Sequence, residues 1–377
     1  MSPANGLTAV AMSGGLDSSV AAWMLSRERP VVGLSMLLWD RSANGTGEPR
    51  SGRCCGALDL GDARRVAGQC GFPHYTLEME EDFRRYVVDP FVDAYLAGRT
   101  PVPCTSCNTW VKFDLFVERA RRLGAERIAT GHYARIVAGD EGPELHRAVN
   151  AEKDQSYYLF ELSQEQLAAA EFPLGELSKT EVRQMASDAG LVVAEKAESM
   201  EICFVDGGVR EFVEREAGRR NGRLARASLV RLGAPSRVVD GAGHELGRGE
   251  PYYRYTVGQR RGLGIAAAEP LYVQEVRPAE NAVVAGPRAA LDRRGLVGER
   301  LHWIGSPPAP GEDGRIEVEV KIRARHPGVG AWVRPLTGGR AEVEFAAPQR
   351  GVAPGQAAVF YRESRVLGGC WIENGMD

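Results

Sequence analysis

The amino-acid sequence predicts an α/β protein: a doubly wound parallel sheet, followed by a small linker domain and a C-terminal antiparallel β-barrel. In the first half, strand-like apolar runs such as TAVAMS and VVGLSMLL alternate with helical patterns, which is typical of a parallel sheet covered by helices on both faces. After about residue 205, short runs of alternating polarity such as RIEVEVKIRA and RAEVEFA are separated by turn residues, which indicates antiparallel strands. Ligands of a parallel sheet bind at the carboxyl ends of its strands.

Strands and helices are predicted in the following order. TAVAMS precedes the helix SSVAAWMLSRE, VVGLSMLL precedes DLGDARRVAGQCG, and HYTLEM precedes an amphipathic helix from Glu81 to Leu96. A helix from Phe113 to Leu123 then leads to the strand RIATGHYA. In the second half the runs YYRYTVGQ, LYVQEV and AVVAG are also predicted to be strands, and they come before the strands expected to form the barrel.

Two further helices and two long loops complete this organisation. The helices are predicted at 162–170 and 178–190, the second opened by a serine and a glutamate in capping-box spacing. Segments 40–56 and 98–108 are rich in Gly, Pro and Ser, and are predicted to be loops that are either mobile or functional.

The length of 377 residues is enough for two or three domains. We predict a catalytic domain at 1–205, a central domain at 206–275 and the barrel at 276–377. An apolar fraction of 44% and a charged fraction of 26% exclude a disordered or fibrous chain. No run of 18 apolar residues and no signal-peptide pattern is present, so we expect a cytoplasmic protein that does not span a membrane.

Charge is distributed unevenly along the chain. The net charge is −3, but residues 1–205 carry 21 basic and 29 acidic side chains, whereas residues 206–377 carry 26 basic and 21 acidic ones. The basic second half is compatible with a polyanionic partner such as a nucleic acid.

A phosphate-binding loop is predicted at 13–19, where SGGLDSS stands between the first strand and the first helix. The two glycines let the backbone approach an anion, and the helix N-terminus adds N–H donors and a positive dipole end. The loop lacks the lysine of the GxxxxGK[ST] motif. It resembles the SGGxDS loop of the ATP pyrophosphatases, which split ATP into AMP and pyrophosphate; Asp17 then faces the polyphosphate through Mg²⁺.

Three cysteines are candidates for chemistry. The seven cysteines form no disulfide framework of a secreted protein, but Cys104 and Cys107 form a CxxC pair and Cys203 follows in SMEICF. A closed zinc site lacks a second ligand pair, and the prolines and Asn108 around the CxxC fit a redox pair poorly. The third role is sulfur transfer by thiolates. Cys54, Cys55, Cys70 and Cys370 are expected to be structural or incidental.

Seven motifs occur in the order found in the tRNA-specific 2-thiouridylases, and the chain resembles that family over nearly its whole length. They are MSGGLDSSV, TPVPCTSCNTWVKF, GHYA, KDQSYYL, EICF, YTVGQRRGLGI and PQRGVAPGQAAVFY. The resemblance implies sulfur insertion at C2 of uridine 34 in the tRNAs for Lys, Glu and Gln, with ATP and Mg²⁺ as cofactors. The sulfur is expected to arrive as a persulfide from an upstream donor protein.

The chemistry of uridine agrees with this resemblance. The C2 carbonyl is a poor electrophile, and transfer of AMP onto its oxygen makes the carbon attackable and the oxygen a good leaving group. By resemblance, Cys203 carries the persulfide sulfur to C2, and Cys107 attacks the bridging S–S bond and leaves a disulfide between the two cysteines. The expected ATP-binding residues are Ala11, Met12, Ser13, Gly14, Gly15, Leu16, Asp17, Ser18, Met36 and Gly131.

Contacts to tRNA are also implied by the resemblance. The expected residues are Val102, Pro103, Cys104, His132, Lys153, Asp154, Gln155, Arg323 and Gln349. Many members have an aspartate where Cys104 stands, so the acid/base group of the reaction is open, as is a second mechanism for the same thiolation. In that alternative, Cys104, Cys107 and Cys203 hold a [4Fe-4S] cluster through three ligands.

The basic second half offers further candidates for tRNA contacts. Phosphate contacts are predicted for Arg260, Arg261, Lys321, Arg323, Arg325 and Arg350. Four aromatic residues stand among them and are predicted either to stack on bases or to fill a core, namely Tyr252, Tyr253, Tyr255 and Phe360.

Three other functions compete with this one. An amide-forming synthetase would share the phosphate loop without needing Cys107 or Cys203. A tRNA-binding module with a decayed loop would release no pyrophosphate. Thiolation at another tRNA position normally comes with RNA-binding domains that this sequence does not show.

Overall fold

The computed structural model describes residues 6–39, 57–197, 202–205, 207–219 and 233–377. The predicted loop 40–56, with Cys54 and Cys55, lies outside the described residues. Within them, no helix is long and apolar enough to cross a membrane.

The first half contains a five-stranded parallel sheet in the order β3-β2-β1-β4-β7. A separate antiparallel hairpin is formed by β5 and β6. In chain order the strands are β1 (Thr8–Ala11), β2 (Val31–Leu37), β3 (His74–Glu78), β4 (Arg127–Thr130), β5 (Ala134–Gly139), β6 (Gly142–Arg147) and β7 (Ala170–Glu171).

Helices cover both faces of this sheet. Successive residues of β1 point to opposite faces, so Ala9 and Ala11 join one apolar core while Val10 joins the other. The helices are α1 (Leu16–Ser26), α2 (Ala57–Cys70), α3 (Glu80–Phe83, Arg84–Val88 and Asp89–Leu96), α4 (Pro103–Ser106, Cys107–Leu115 and Phe116–Arg122), α5 (Gln164–Ala169), α6 (Lys179–Asp188) and the later α7 (Val209–Arg219). The middle pieces of α3 and α4 are π-helical.

The second half contains two β units. Strands β8 to β11 form a four-stranded sheet in the order β10-β11-β8-β9, and β12 to β17 form a barrel that closes through pairing of β12 with both β15 and β17. The strands are β8 (Ser236–Val239), β9 (Glu245–Gly249), β10 (Tyr272–Arg277), β11 (Ala282–Gly286), β12 (Asp292–Trp303), β13 (Ile316–Lys321), β14 (Val329–Leu336), β15 (Arg340–Arg350), β16 (Ala357–Arg362) and β17 (Arg365–Met376).

The predicted fold class is confirmed, with differences in detail. The capping box of α6 is present, because the Ser178 hydroxyl accepts from the Glu181 backbone and the Glu181 carboxylate accepts in return. The predicted loop 98–108 ends early, since α4 begins at Pro103. The predicted strand YYRYTVGQ is wrong, because its first three residues form a 3-10 turn.

Sheet pairing separates the two β units after β11. Because β11 pairs with β8 and β10, it belongs to the central sheet. The division into 206–275 and 276–377 stays a prediction about domains, while the strand pairing itself puts 282–286 with the central unit.

The β5–β6 hairpin connects the first half of the chain to the barrel. Strand β17 pairs with β6 where Arg365 faces His146, and the Arg147 backbone N–H donates to the Ser364 carbonyl over 2.8 Å. The loop 148–155 begins directly after β6. The pairing of β6 with the barrel strand β17 therefore anchors the start of that loop.

Candidate active site

A cavity of about 990 Å³ opens at the carboxyl ends of β1, β2 and β4 and extends to the barrel. Its lining includes the predicted phosphate loop, the three candidate cysteines, the loop at 151–155 and residues that follow β13. The position at the strand ends is the one expected for a ligand of a parallel sheet. The cavity therefore brings together residues that are up to about 300 positions apart in the sequence.

The phosphate loop is folded tightly by its own hydrogen bonds. The Ser18 hydroxyl accepts from the Ser13 backbone N–H over 3.1 Å, and the two hydroxyls are also 3.1 Å apart. Gly14 has a φ of +71°, and a Cβ there would lie 1.9 Å from the Asp59 carbonyl oxygen of α2. Only glycine fits this position, because both the conformation and the space exclude a side chain.

Asp17 is held at the edge of the loop by two donors. The Lys179 ammonium and the Tyr133 hydroxyl donate to the same oxygen, Oδ1, over 2.7 and 2.9 Å. Lys179 is the first residue of α6 and Tyr133 follows β4. Two elements remote in sequence thus fix the carboxylate at the cavity.

Lys196 fastens the loop from the other side. Its ammonium donates to the Gly14 carbonyl over 2.9 Å and to the Asp59 carboxylate over 2.6 Å, and it also contacts Asp62. Burial by itself disfavours the charge, but the hydrogen bonds with the two carboxylates outweigh it and raise the pKa of Lys196. The lysine stays charged where the phosphates of a nucleotide would bind.

Nine of the ten predicted nucleotide residues line this cavity, and Gly14 contributes its carbonyl behind them. Gly131 follows β4 and lies against the first turn of α1. A Cβ there would lie 2.7 Å from the Ser18 backbone nitrogen. Met36, near the end of β2, is buried. The members that line the cavity are Ala11, Met12, Ser13, Gly15, Leu16, Asp17, Ser18, Met36 and Gly131.

Motif matching missed Lys179 and Lys196, although their residue type carried a signal. The chain has five lysines against 42 arginines. All five line the cavity: Lys112, Lys153, Lys179, Lys196 and Lys321. A residue type that is rare elsewhere and collected at one site indicates a requirement for the compact ammonium group, for which the guanidinium does not substitute.

The three candidate cysteines line the same cavity with different exposure. Cys104 is exposed, Cys203 is partly buried and Cys107 is 7% exposed. Within the described residues, no three His, Cys, Asp or Glu side chains are grouped as metal ligands require. The described residues therefore give no support to a cluster ligated by Cys104, Cys107 and Cys203.

Cys107 is the first residue of the π-helical part of α4, and its polar neighbour Asn108 is held by two hydrogen bonds. The Lys112 ammonium donates to the Asn108 side-chain oxygen over 3.0 Å, and the Asn108 amide donates to the Tyr158 carbonyl over 3.0 Å. Burial, with some help from Lys112, lowers the pKa of His132 well below its usual value. His132 is therefore neutral near pH 7, and its Nδ1 lies 2.7 Å from the Thr130 hydroxyl.

The loop at 153–155 is held from within. Asp154 Oδ1 accepts from the backbone N–H groups of Ala148 and Ser156, both over 3.1 Å, and Oδ2 accepts from the Ser156 hydroxyl. The Gln155 side-chain oxygen accepts from the Tyr133 backbone N–H over 2.9 Å. Lys153, Asp154 and Gln155 all line the cavity, and two of them also shape the loop that presents the third.

The barrel supplies the opposite side of the cavity. Lys321, Ala324, Arg325 and His326 line it, and burial lowers the pKa of Lys321. Burial, followed by the effect of Cys104, raises the pKa of Tyr158, while Arg325 opposes the shift. Cys104 of the CxxC segment and Arg325 of the barrel therefore both influence the pKa of Tyr158. Because that pKa is raised, the Tyr158 hydroxyl stays protonated.

The other predicted tRNA residues lie around this opening. Gln349 is outside the cavity lining but its side-chain oxygen lies 3.0 Å from His326 Nε2, and exposed Arg323 donates to the Arg350 carbonyl over 3.1 Å. Pro103 lines the cavity. Val102 is 8% exposed and packs in the core.

Of the two alternatives predicted for the four aromatic residues, core filling applies to three. Tyr253, Tyr255 and Phe360 are at most 3% exposed, and both tyrosine hydroxyls are used inside the protein. Tyr252 is partly buried and donates to the Leu96 carbonyl over 2.8 Å. Alternating strands and short turns bury aromatic rings, and here the core-filling alternative applies. Arg260 and Arg261 are exposed, and Arg350 is paired with Asp292.

Family profiles match three consecutive parts of the chain. Residues 7–207 match the tRNA methyl transferase HUP domain, residues 230–287 the tRNA methyl transferase PRC-barrel domain, and residues 293–372 the Aminomethyltransferase beta-barrel domain. The first of these profiles covers more than half of the chain and the whole α/β sheet.

Relatives described as tRNA-specific 2-thiouridylase MnmA match nearly end to end. The protein of Geotalea uraniireducens is 48% identical over 373 residues, 98% of this chain and 95% of the relative. That of Solibacter usitatus is 48% identical over 380 residues, covering 97% and 98%, and that of Rickettsia bellii is 42% identical over 367 residues, covering 96% and 95%. The chain belongs to the family of tRNA-specific 2-thiouridylases, sulfurtransferases that use ATP to thiolate tRNA.

Proposed function

We propose that the chain adenylates the C2 oxygen of uridine 34 in the tRNAs for Lys, Glu and Gln and replaces that oxygen with persulfide sulfur. One observation carries the proposal: the phosphate loop and the two cysteines Cys107 and Cys203 line a common cavity. An enzyme that only formed amides would have no use for two thiols beside its nucleotide.

In the adenylation step, the loop holds the leaving pyrophosphate. The Ser13 hydroxyl and the backbone N–H groups at the N-terminus of α1 donate to its oxygens. Lys179 and Lys196 add positive charge on either side of the loop. Mg²⁺ would be held by the nucleotide phosphates and the Asp17 carboxylate, a hard oxygen ligand, and would neutralise charge that develops on the phosphates.

In the sulfur step, the terminal sulfur of a persulfide on Cys203 attacks C2 of the adenylated uridine. The C–O bond to AMP breaks, and AMP leaves with the bonding electrons. The Cys107 thiolate then attacks Cys203 Sγ, so that the persulfide S–S bond breaks and its electron pair stays on the sulfur bound to C2. The products are 2-thiouridine and a disulfide between Cys107 and Cys203, which an external dithiol reduces for the next turnover.

Two features support tRNA as the polyanion that fills the rest of the cavity. Lys153 and the barrel residues Lys321 and Arg325 place positive charge opposite the phosphate loop. The second half of the chain also has a basic excess. We further propose that the persulfide comes from a separate donor protein, and that the enzyme works in the cytoplasm, where ATP and tRNA are both available.

Replacing either thiol tests the proposal. We expect Cys107→Ser and Cys203→Ser to abolish 2-thiouridine in tRNA, measured by nucleoside mass spectrometry after rescue of cells that lack the protein. Purified variants should still release pyrophosphate from ATP in the presence of tRNA, with AMP remaining attached to the tRNA. Full thiolation by either variant would contradict the proposed roles, and Cys370→Ser, a buried barrel cysteine, is the matched control.

A further inference from the structure

Phe204, the residue after Cys203, is buried in a socket of four aromatic rings. It is 2% exposed, whereas Cys203 beside it reaches the cavity. The rings around Phe204, by distance between centroids, belong to Phe91 at 5.1 Å, Phe212 at 5.2 Å, Phe83 at 5.4 Å and Trp39 at 6.5 Å. We call these four residues the aromatic socket.

A tight turn connects the thiol to its buried neighbour. The Val205 backbone N–H donates to the Ile202 carbonyl over 3.1 Å, so the chain reverses over Cys203 and Phe204. Val205 is 7% exposed and packs into the same core. With one side chain fixed in the socket, the preceding side chain has little freedom along the edge of the cavity.

The socket is assembled from three separate parts of the chain. Trp39 follows β2, Phe83 and Phe91 lie on α3, and Phe212 lies on α7. Three of the contacts to Phe204 are edge-to-face, the geometry in which aromatic rings attract each other most specifically.

An ion pair between half-exposed Arg84 and buried Glu216 lies beside the socket. The Arg84 guanidinium lies 4.8 Å from the centroid of the Trp39 ring and its Nη1 lies 3.0 Å from the Glu216 carboxylate, which is fully buried. Arg84 thereby joins α3 to α7 over the rings. The rings of the socket are therefore held in place by an ion pair as well as by apolar packing.

The socket also touches the reaction cavity. Phe83 and Phe204 both line it, together with Met36 and Leu38 from the end of β2. Displacement of a reacting atom by about 1 Å can cost on the order of 100-fold in rate. The position of Phe204 in the cavity wall thus determines the position of the Cys203 thiol next to it.

We infer that Phe204 is a positioning residue, and that the aromatic socket sets where Cys203 presents its sulfur to the activated uridine. The inference rests on the proposed role of Cys203. The phosphate loop is held by its own hydrogen bonds and by Lys179 and Lys196. Loss of the socket should therefore slow sulfur transfer and leave adenylation intact.

Phe204→Leu tests the inference, with Phe345→Leu in the barrel core as the matched control, since Phe345 is 6% exposed. We expect Phe204→Leu to lower the single-turnover rate of 2-thiouridine formation at least tenfold and to change the rate of pyrophosphate release, which reports adenylation, less than twofold. We also expect iodoacetamide to alkylate Cys203 several-fold faster in the variant, measured by peptide mass spectrometry, while alkylation of Cys107 is unchanged. Phe345→Leu should leave all three quantities at the wild-type level.

Equal 2-thiouridine rates and equal Cys203 alkylation in Phe204→Leu and Phe345→Leu would overturn the inference. If Phe204→Leu does not fold, Phe212→Leu removes one ring of the socket, and the same shifts, smaller in size, are expected. If the wild-type protein forms no 2-thiouridine at all, the proposed function fails, while the alkylation rates still decide whether the socket positions the thiol.

Discussion

The two ends of the cavity are built in different ways. At the nucleotide end, Ser13, Gly14 and Ser18 fold into a loop through contacts within a few residues. At the thiol end, Cys107 lies on α4, Cys203 lies beside the aromatic socket, and the barrel closes the opposite side. The nucleotide end is thus a local loop that is fastened from outside by Lys179 and Lys196, whereas the thiol end is built by packing between distant parts of the chain.

We expect the largest effect on stability and adenylation from replacing Lys196, which connects the phosphate loop to α2. Lys196→Met leaves Asp59 and Asp62 without this cation in a partly buried place. We expect a loss of about 4 kcal/mol in the free energy of unfolding and a loss of AMP formation of about 100-fold. Thermal unfolding and release of labelled pyrophosphate measure the two effects.

A triple variant separates stability from function at this place. Lys196→Met combined with Asp59→Asn and Asp62→Asn should recover most of the stability, because no buried carboxylate is left without its cation, but not the adenylation activity. Recovery of both would show that Lys196 acts only as a structural cation.

Gly14→Ala should damage the nucleotide end almost as much. The new methyl group would lie 1.9 Å from the Asp59 carbonyl oxygen, at a φ of +71°. We expect a loss of about 3 kcal/mol in stability and no measurable ATP binding by calorimetry. The neighbouring Gly15→Ala is the matched control for stability, because its Cβ would meet nothing closer than 3.5 Å. Equal melting temperatures of the two variants would contradict the geometry of the loop.

Charge removal at the thiol end should affect tRNA and not ATP. For Arg323→Ala with Arg325→Ala, both exposed beside the opening, we expect tRNA to bind about tenfold more weakly. The slope of the logarithm of affinity against the logarithm of salt concentration should shrink by about 1.5, because two phosphate contacts are lost. Filter binding with tRNA and calorimetry with ATP measure the two ligands, and Arg122→Ala, exposed on α4, is the control. Unchanged tRNA affinity would remove this surface from the interface.

A smaller effect is expected from pH at the nucleotide end. Although burial by itself raises it, the hydrogen bonds from Lys196 and Arg65 lower the pKa of Asp62 below its usual value. A carboxylate with a lowered pKa stabilises the fold above the usual range of Asp, near pH 4, and the stabilisation is lost as the pH falls through the lowered value. The difference in stability between the wild type and Lys196→Met should therefore be constant from about pH 5 to 8 and shrink below about pH 4. A difference that grows in acid would contradict this ion pair.

The same contrast explains what the sequence could predict. The phosphate loop was predictable because its glycines and hydroxyls are contiguous and their chemistry is local. The contacts of Lys179 with Asp17 and of Lys196 with Gly14 join residues more than 160 positions apart, which no local pattern records. Only the scarcity of lysine pointed to them.

The second half shows the same limit in its strands. Alternating polarity predicted barrel strands such as β13 and β15 correctly, because they bury every other side chain along much of their length. It could not assign β11 to the central sheet, since pairing with β8 is decided by tertiary contacts. It also mistook the tyrosines at 252–255 for a strand, because buried aromatic rings in a short turn give a similar pattern.

The most direct test of the shared cavity is a single turnover without reductant. Enzyme loaded with persulfide on Cys203 is mixed with ATP and substrate tRNA, and AMP, 2-thiouridine and the disulfide are counted by mass spectrometry. We predict one AMP and one disulfide between Cys107 and Cys203 for each 2-thiouridine formed. Formation of 2-thiouridine with both cysteines still reduced, or without AMP, would contradict the account.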